Sequence, residues 1–144
     1  MSGQTKLLLP SGGSLTIAAT DSSSNLTATF PAANMTVGYI NIPQNAQTSS
    51  YTLVASDAGS HIYNASGTSI TYTIPANGSV AYAIGTAVTF VNMASTSLTI
   101  AITTDTLYLA GTGTTGSRTL AQYGVATAIK ITSTSWIISG TGLT

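Results

Sequence analysis

From about residue 14 onward, apolar side chains recur at every second position. The pleated strand is the geometry that puts such residues on one face. Leu15 and Ile17 are spaced this way, as are Leu26, Ala28 and Phe30, then Ile70, Tyr72 and Ile74, and Leu98, Ile100 and Ile102. Val125, Thr127, Ile129 and Ile131 continue the pattern, and Trp136 and Ile138 lie on a last strand before Gly140. No window of eleven or more residues carries a helical stripe. Pro75 followed by Asn77-Gly78 predicts a hairpin between Ile70–Ile74 and an apolar face of Val80, Tyr82 and Ile84. The run TTDT predicts a second reversal, before Leu107 and Leu109. The expected fold is all-β: a compact sandwich or barrel of about ten to twelve short antiparallel strands, preceded by an extended N-terminal arm.

Charge narrows the function. Only 4% of the 144 residues are charged, as Lys6, Arg118, Lys130, Asp21, Asp57 and Asp105, against about 25% in an ordinary soluble domain. Solubility falls instead to 27 threonines and 19 serines, and threonine also suits strands through its β-branch. Three cations and no net charge leave no footprint for a phosphate backbone, so nucleic acid is not an expected partner. The chain has no cysteine, which removes thiolate metal sites and thiol nucleophiles. No apolar run is long enough to span a bilayer, and MSGQTKLLLP is too short in its apolar part for a secretory leader.

The first forty-odd residues differ in texture. PSGG and DSSSN are turn chemistry around two short strand-like runs, with too little apolar surface for a core. Residues 1–44 are therefore expected to be an attachment arm and linker, and 45–144 a β-rich module. Lys6-Leu7-Leu8-Leu9 is the expected attachment element, since an extended apolar segment can add a strand to a partner's exposed edge. A faint echo relates residues 76–84 to 121–129 through the spacing A-x-x-x-V-A-x-A-I. Two copies in so Ala- and Thr-rich a chain do not make a solenoid.

One stretch raises the question of chemistry. YTLVASDAGSHIYN, residues 51–64, contains Asp57 and the only histidine, His61. Aspartate accepts bonds from its own downstream backbone and glycine takes positive φ freely, so D-A-G-S reads as a turn between strands. A catalytic base would need a substrate pocket and an orienting group, and the other carboxylates, Asp21 and Asp105, sit in separate polar loops. No catalytic residue, cofactor or metal site is expected. One histidine per chain would reach a metal only where symmetry gathers three copies.

GYINIPQN, YTLVASDAGSHIYN, TYTIPANGSVAYAIGTAVTFVN, LTIAITTDTLYLAGTGTTGSRTLAQYGVATAIKIT and SWIISGTG, in that order over residues 38 to 144, resemble a module of tailed-bacteriophage virion proteins. It is common at the C-terminus of tail-fibre and other minor structural proteins. The resemblance implies a non-enzymatic structural protein on the virion exterior, made in the host cytoplasm, and a homotrimer. It supplies no catalytic residues. A preceding segment of some forty residues is short for a fibre shaft, so the expected role is capsid decoration, as cement or a short head fibre docked on the major capsid protein or another virion protein. The alternative is a tail-fibre or spike tip that binds a host-surface glycan. Tyr72 and Tyr82 share the parity of core residues, while Tyr108 and Tyr123 oppose it and are the candidates for stacking on a sugar.

Overall fold

The computed structural model describes Thr5–Leu8, Ser14–Ile17 and residues 41–144. The chain divides into two units, Met1–Gly38 and Tyr39–Thr144. In the first, β1 (Thr5–Leu8) pairs antiparallel with β2 (Ser14–Ile17), with Leu7 opposite Leu15. Lys6, Leu7 and Leu8 thus lie on a hairpin strand rather than on a free extended segment, with one of its edges taken by β2; Leu9 lies outside the described residues.

The second unit holds β3 (Gln44–Gln47), β4 (Tyr51–Thr52), a single 3-10 turn (Ala55–Asp57), β5 (His61–Asn64), β6 (Ile70–Ile74), β7 (Ala87–Asn92), β8 (Leu98–Ile102), β9 (Thr106–Leu109), β10 (Arg118–Thr132) and β11 (Ser135–Leu143). Among the described residues it contains no α-helix. Its nine strands form a nearly closed, barrel-like sheet in the order β3-β5-β7-β10-β8-β6-β4, with β11 beside β10 and β9 beside β11. The all-β expectation holds.

Strand direction is a correction. β3–β5, β5–β7, β4–β6, β6–β8 and β9–β11 are all parallel pairs. From β3 to β8 the chain alternates between two half-sheets, so each strand's neighbour is the next strand but one. A parallel pair needs a crossover, and here the crossover is itself a strand of the opposite half. β10 joins the halves: Arg118–Leu120 pair with β8, and Gly124–Ile129 pair with β7. Between them the strand bulges at Tyr123, the one described non-glycine residue with positive φ (60°).

This traffic removes both expected hairpins. β6 has β4 on one side and β8 on the other, so no edge is left for residues 80–84. They form turns instead, with Ala76 O accepting from Ser79 N and Val80 N, and Ile84 is exposed. Nor does β9 pair with β8. The echoed segments consequently share no structure, one being loop and the other strand.

Inside, alternation works as expected for β6, and β5 and β7 alternate in the same way. Ile62, Ile70, Tyr72, Ile74, Val88 and Phe90 are buried with Leu53, Leu98, Ile100, Leu107, Leu120, Trp136 and Ile138. β10 is the exception, and a second correction: Ala126, Ala128 and Lys130 point inward, while Val125, Ile129 and Ile131 face out. The reason is volume. Ala126 lies opposite Phe90, Ala128 between Val88 and Ile138, and Lys130 opposite Trp136. With Phe90 beside Ala126 and both Val88 and Ile138 beside Ala128, the central strand has room for alanine there, and large and small residues interdigitate.

Where β10 meets β11, Gly140 lies opposite Ala126. A Cβ on Gly140 would run into Val125 O and the Ala126 Cα. Gly140→Ala is expected to destabilise the unit by about 1–3 kcal/mol, read as a lower urea midpoint, with Ser139→Ala as the near-neutral comparison.

Candidate functional site

The two ends of the strand path, β3 and β4, are adjacent in sequence, and Asp57 stands between them. It is only 3% exposed. Asn45 Nδ2 on β3 donates to its Oδ1 (2.8 Å), Tyr51 Oη on β4 donates to its Oδ2 (2.9 Å), and Val54 N donates to the same oxygen (2.8 Å). Tyr72 from β6 reinforces the closure, its hydroxyl donating to Gln47 O and Tyr63 O while its ring meets Tyr51 edge-on. The D-A-G-S segment is the expected turn, yet Asp57 works mainly through Asn45 and Tyr51, twelve and six residues away. His61 shares no hydrogen bond with it. The imidazole Nε2 lies 3.0 Å from Gln44 Nε2, and no Asp–His pair forms.

Burial pushes the Tyr51 hydroxyl above its ordinary value of 10.0, and the hydrogen bond to Asp57 adds to this. Burial alone raises Tyr72 to about 12. Burial also raises Tyr82, helped by the charge of Asp57. Tyr82 is a link: its hydroxyl donates to Val54 O (2.5 Å) and its ring meets Trp136 edge-on at 5.5 Å.

Beyond Trp136 lies a second buried polar group. Lys130 is 1% exposed, and its Nζ sits 5.3 Å from the centre of the Trp136 ring. It donates to Asn77 Oδ1 at 2.8 Å, and Asn77 N donates to Asp105 Oδ2 at 3.1 Å. Asp105 also lines an open cleft of about 310 Å³ with Ile102, Thr103, Thr106, Thr115 and Ser117. Among the described residues, no three His, Cys, Asp or Glu side chains come together as a metal site.

The outer face of β7, β10 and β11 has the opposite character. Rows across it read Val91, Val125, Thr141; Thr89, Thr127, Ser139; and Ala87, Ile129, Ile137, with Tyr108 of β9 beside Ile137. Val125, Ile129 and Ile131 are more than two-fifths exposed. No charged side chain is among them. The sequence pattern contained this signal but assigned it to the core.

Of the two sugar-stacking candidates, Tyr108 is half-buried in β9 and Tyr123 is 68% exposed at the β10 bulge. Tyr108 lies level with Ile129, and from there to Tyr123 the strand runs about 20 Å. That is too far for the two rings to stack on one sugar.

No protein family, curated protein or solved structure matches the chain at a significant level.

Asp57→Ala would strand two side-chain donors and a backbone N–H in the seam. It is expected to cost about 3 kcal/mol or more, with His61→Ala near neutral, both read by chemical denaturation. Alkali should act through the tyrosines. Because the folded state holds Tyr72 at about 12 against 10.0, its contribution is complete below pH 10.0 and is lost as pH rises toward 12. Tyrosinate absorbance from this buried set should therefore grow in together with loss of strand signal, rather than ahead of it.

Proposed function

We propose that this chain is a non-enzymatic structural protein of a tailed-bacteriophage virion, carried on the exterior as a cement or short head-fibre protein that decorates the capsid. The observation that carries the reading is the pairing of an uncharged, apolar outer sheet face with buried charges. Of the four charged residues in the 39–144 unit, Asp57, Asp105 and Lys130 are buried, leaving half-buried Arg118. A surface of this kind has no self-repulsion and no charge to match in a partner. It suits packing against identical copies, and the reading assigns the face around Val125, Ile129 and Ile137 to a closed homotrimer. The resemblance of residues 38 to 144 to phage structural modules supplies the setting. The segment with Lys6, Leu7, Leu8 and Leu9 then attaches the protein to the major capsid protein or another virion protein.

A second reading, a tail-fibre or spike tip gripping a host-surface glycan, draws support from the hydroxyl-lined cleft at Asp105. Its size suits a sugar ring, and its mixture of threonine hydroxyls, one carboxylate and aliphatic floor suits a neutral polyol. The two readings part on location: antibody labelling of whole particles should mark the head under the first and the tail tip under the second.

Sedimentation equilibrium is expected to return three times the 14.5 kDa chain mass, and Ile129→Lys, which places a charge in the face, should return a folded monomer. A wild-type monomer at micromolar concentration would remove the reading. A chain lacking residues 1–38 should still fold and trimerise but not load onto particles; normal loading would exclude the N-terminal segment as the attachment element.

A further inference from the structure

A lysine ammonium shut away from water is costly unless opposite charge and hydrogen bonds surround it. Lys130 has little of either. Among the described residues the single hydrogen bond of its ammonium goes to a neutral amide, Asn77 Oδ1, and the Trp136 ring lies beside it. The carboxylate at this end of the barrel, Asp105, accepts from the Asn77 backbone N–H at 3.1 Å and is not bonded to Lys130. An amine thus touches a half-buried side-chain amide beside the Trp136 ring, and a buried carboxylate is anchored on the backbone of the same asparagine. With Nζ 2.8 Å from Oδ1, the amide carbon Cγ is no further than about 4 Å from Nζ.

We propose that Lys130 and Asn77 become joined by an isopeptide bond, with Asp105 as the proton carrier. The free amine is the attacking species. Nζ adds to Asn77 Cγ, the Cγ–Nδ2 bond breaks, and one amine proton passes by way of the Asp105 carboxylate to the departing nitrogen. Nδ2 leaves as ammonia and takes up the proton that the ammonium first released, so a lysine ammonium and an asparagine give a secondary amide and an ammonium ion. No oxidant, reductant or cofactor enters. Proximity does most of the work, since both groups are held in place by the fold. The product removes a charge from the interior and ties β10 to the loop after β6, and it needs no cysteine in a chain that has none.

Trypsin reads the bond directly. The cationic residues are Lys6, Arg118 and Lys130, and an acylated Lys130 is not cut. Digestion of the whole chain in denaturant should leave 7–118 attached to 119–144, lighter by one ammonia than the two together. Lys130→Arg and Asn77→Ala should show the full mass of their sequences and melt at lower temperature. Asp105→Asn should yield mostly unlinked chain; linkage as complete as in wild type would overturn the role given to Asp105. Release of 119–130 and 131–144 in full yield from the wild-type chain would overturn the bond. So would an ammonia loss confined to 7–118, which marks ring closure at Asn77-Gly78 instead.

Discussion

A carboxylate removed from water has to find its hydrogen bonds within the protein, and Asp57 finds them by drawing β3, β4 and the turn after β4 onto one group. Without that tie, the strand path would end in two open edges, the exposed backbone that β proteins generally cover or charge. Here there is almost no charge with which to defend an edge. The sheet is therefore brought nearly to closure, and Tyr72 bonds across the same seam with its hydroxyl. Val54 connects this tie to the rest of the interior: its N–H serves Asp57 and its carbonyl serves Tyr82, whose ring leads on to Trp136 and Lys130.

Much of the class was legible in the sequence, and the reason is physical. Ile70, Tyr72 and Ile74 alternate and are buried as read, because a two-residue period is local and survives whatever the strand pairs with. Pairing itself is not local. Nothing in Pro75-Ala76-Asn77-Gly78 reveals that both edges of β6 are already occupied, so a sound hairpin signal gave the wrong neighbour. β10 misleads for a related reason. Val125, Ile129 and Ile131 look like core, and only the bulk of Phe90, Trp136 and Ile138 on adjacent strands turns the alanines inward. Asp57 was readable as a turn residue, whereas its bonds to Asn45 and Tyr51 depend on closure. Lys130 carries no sequence signal of burial beyond sharing the parity of Ala126 and Ala128.

The exchange of roles between inside and outside runs through the whole second unit. Charges that an ordinary domain would show to water serve here as internal ties, and β-branched apolar residues that would ordinarily fill a core lie on the outer face of a central strand. Each half of that exchange makes sense of the other. A surface built from threonine, serine and aliphatic side chains stays wet enough to fold in water, yet sets no electrostatic barrier against an identical surface. Packing within the unit is correspondingly dependent on small residues at β10 and on Gly140 beside it.

The alternation of strands between two half-sheets has a consequence in time. Because successive strands from β3 to β8 belong to opposite halves, neighbours in the sheet are separated by an intervening strand, and the halves share no continuous strand until β10 is made. A ribosome releasing this chain from its N-terminal end produces strands that must wait for partners, and contacts so distant in sequence form slowly. β10, which joins the halves, and β11, which bears much of the apolar outer face with it, come last. The outer face that the proposed trimer would use does not exist on a half-made chain, so under that proposal neighbouring nascent chains on one message cannot associate through it before each has closed its own interior.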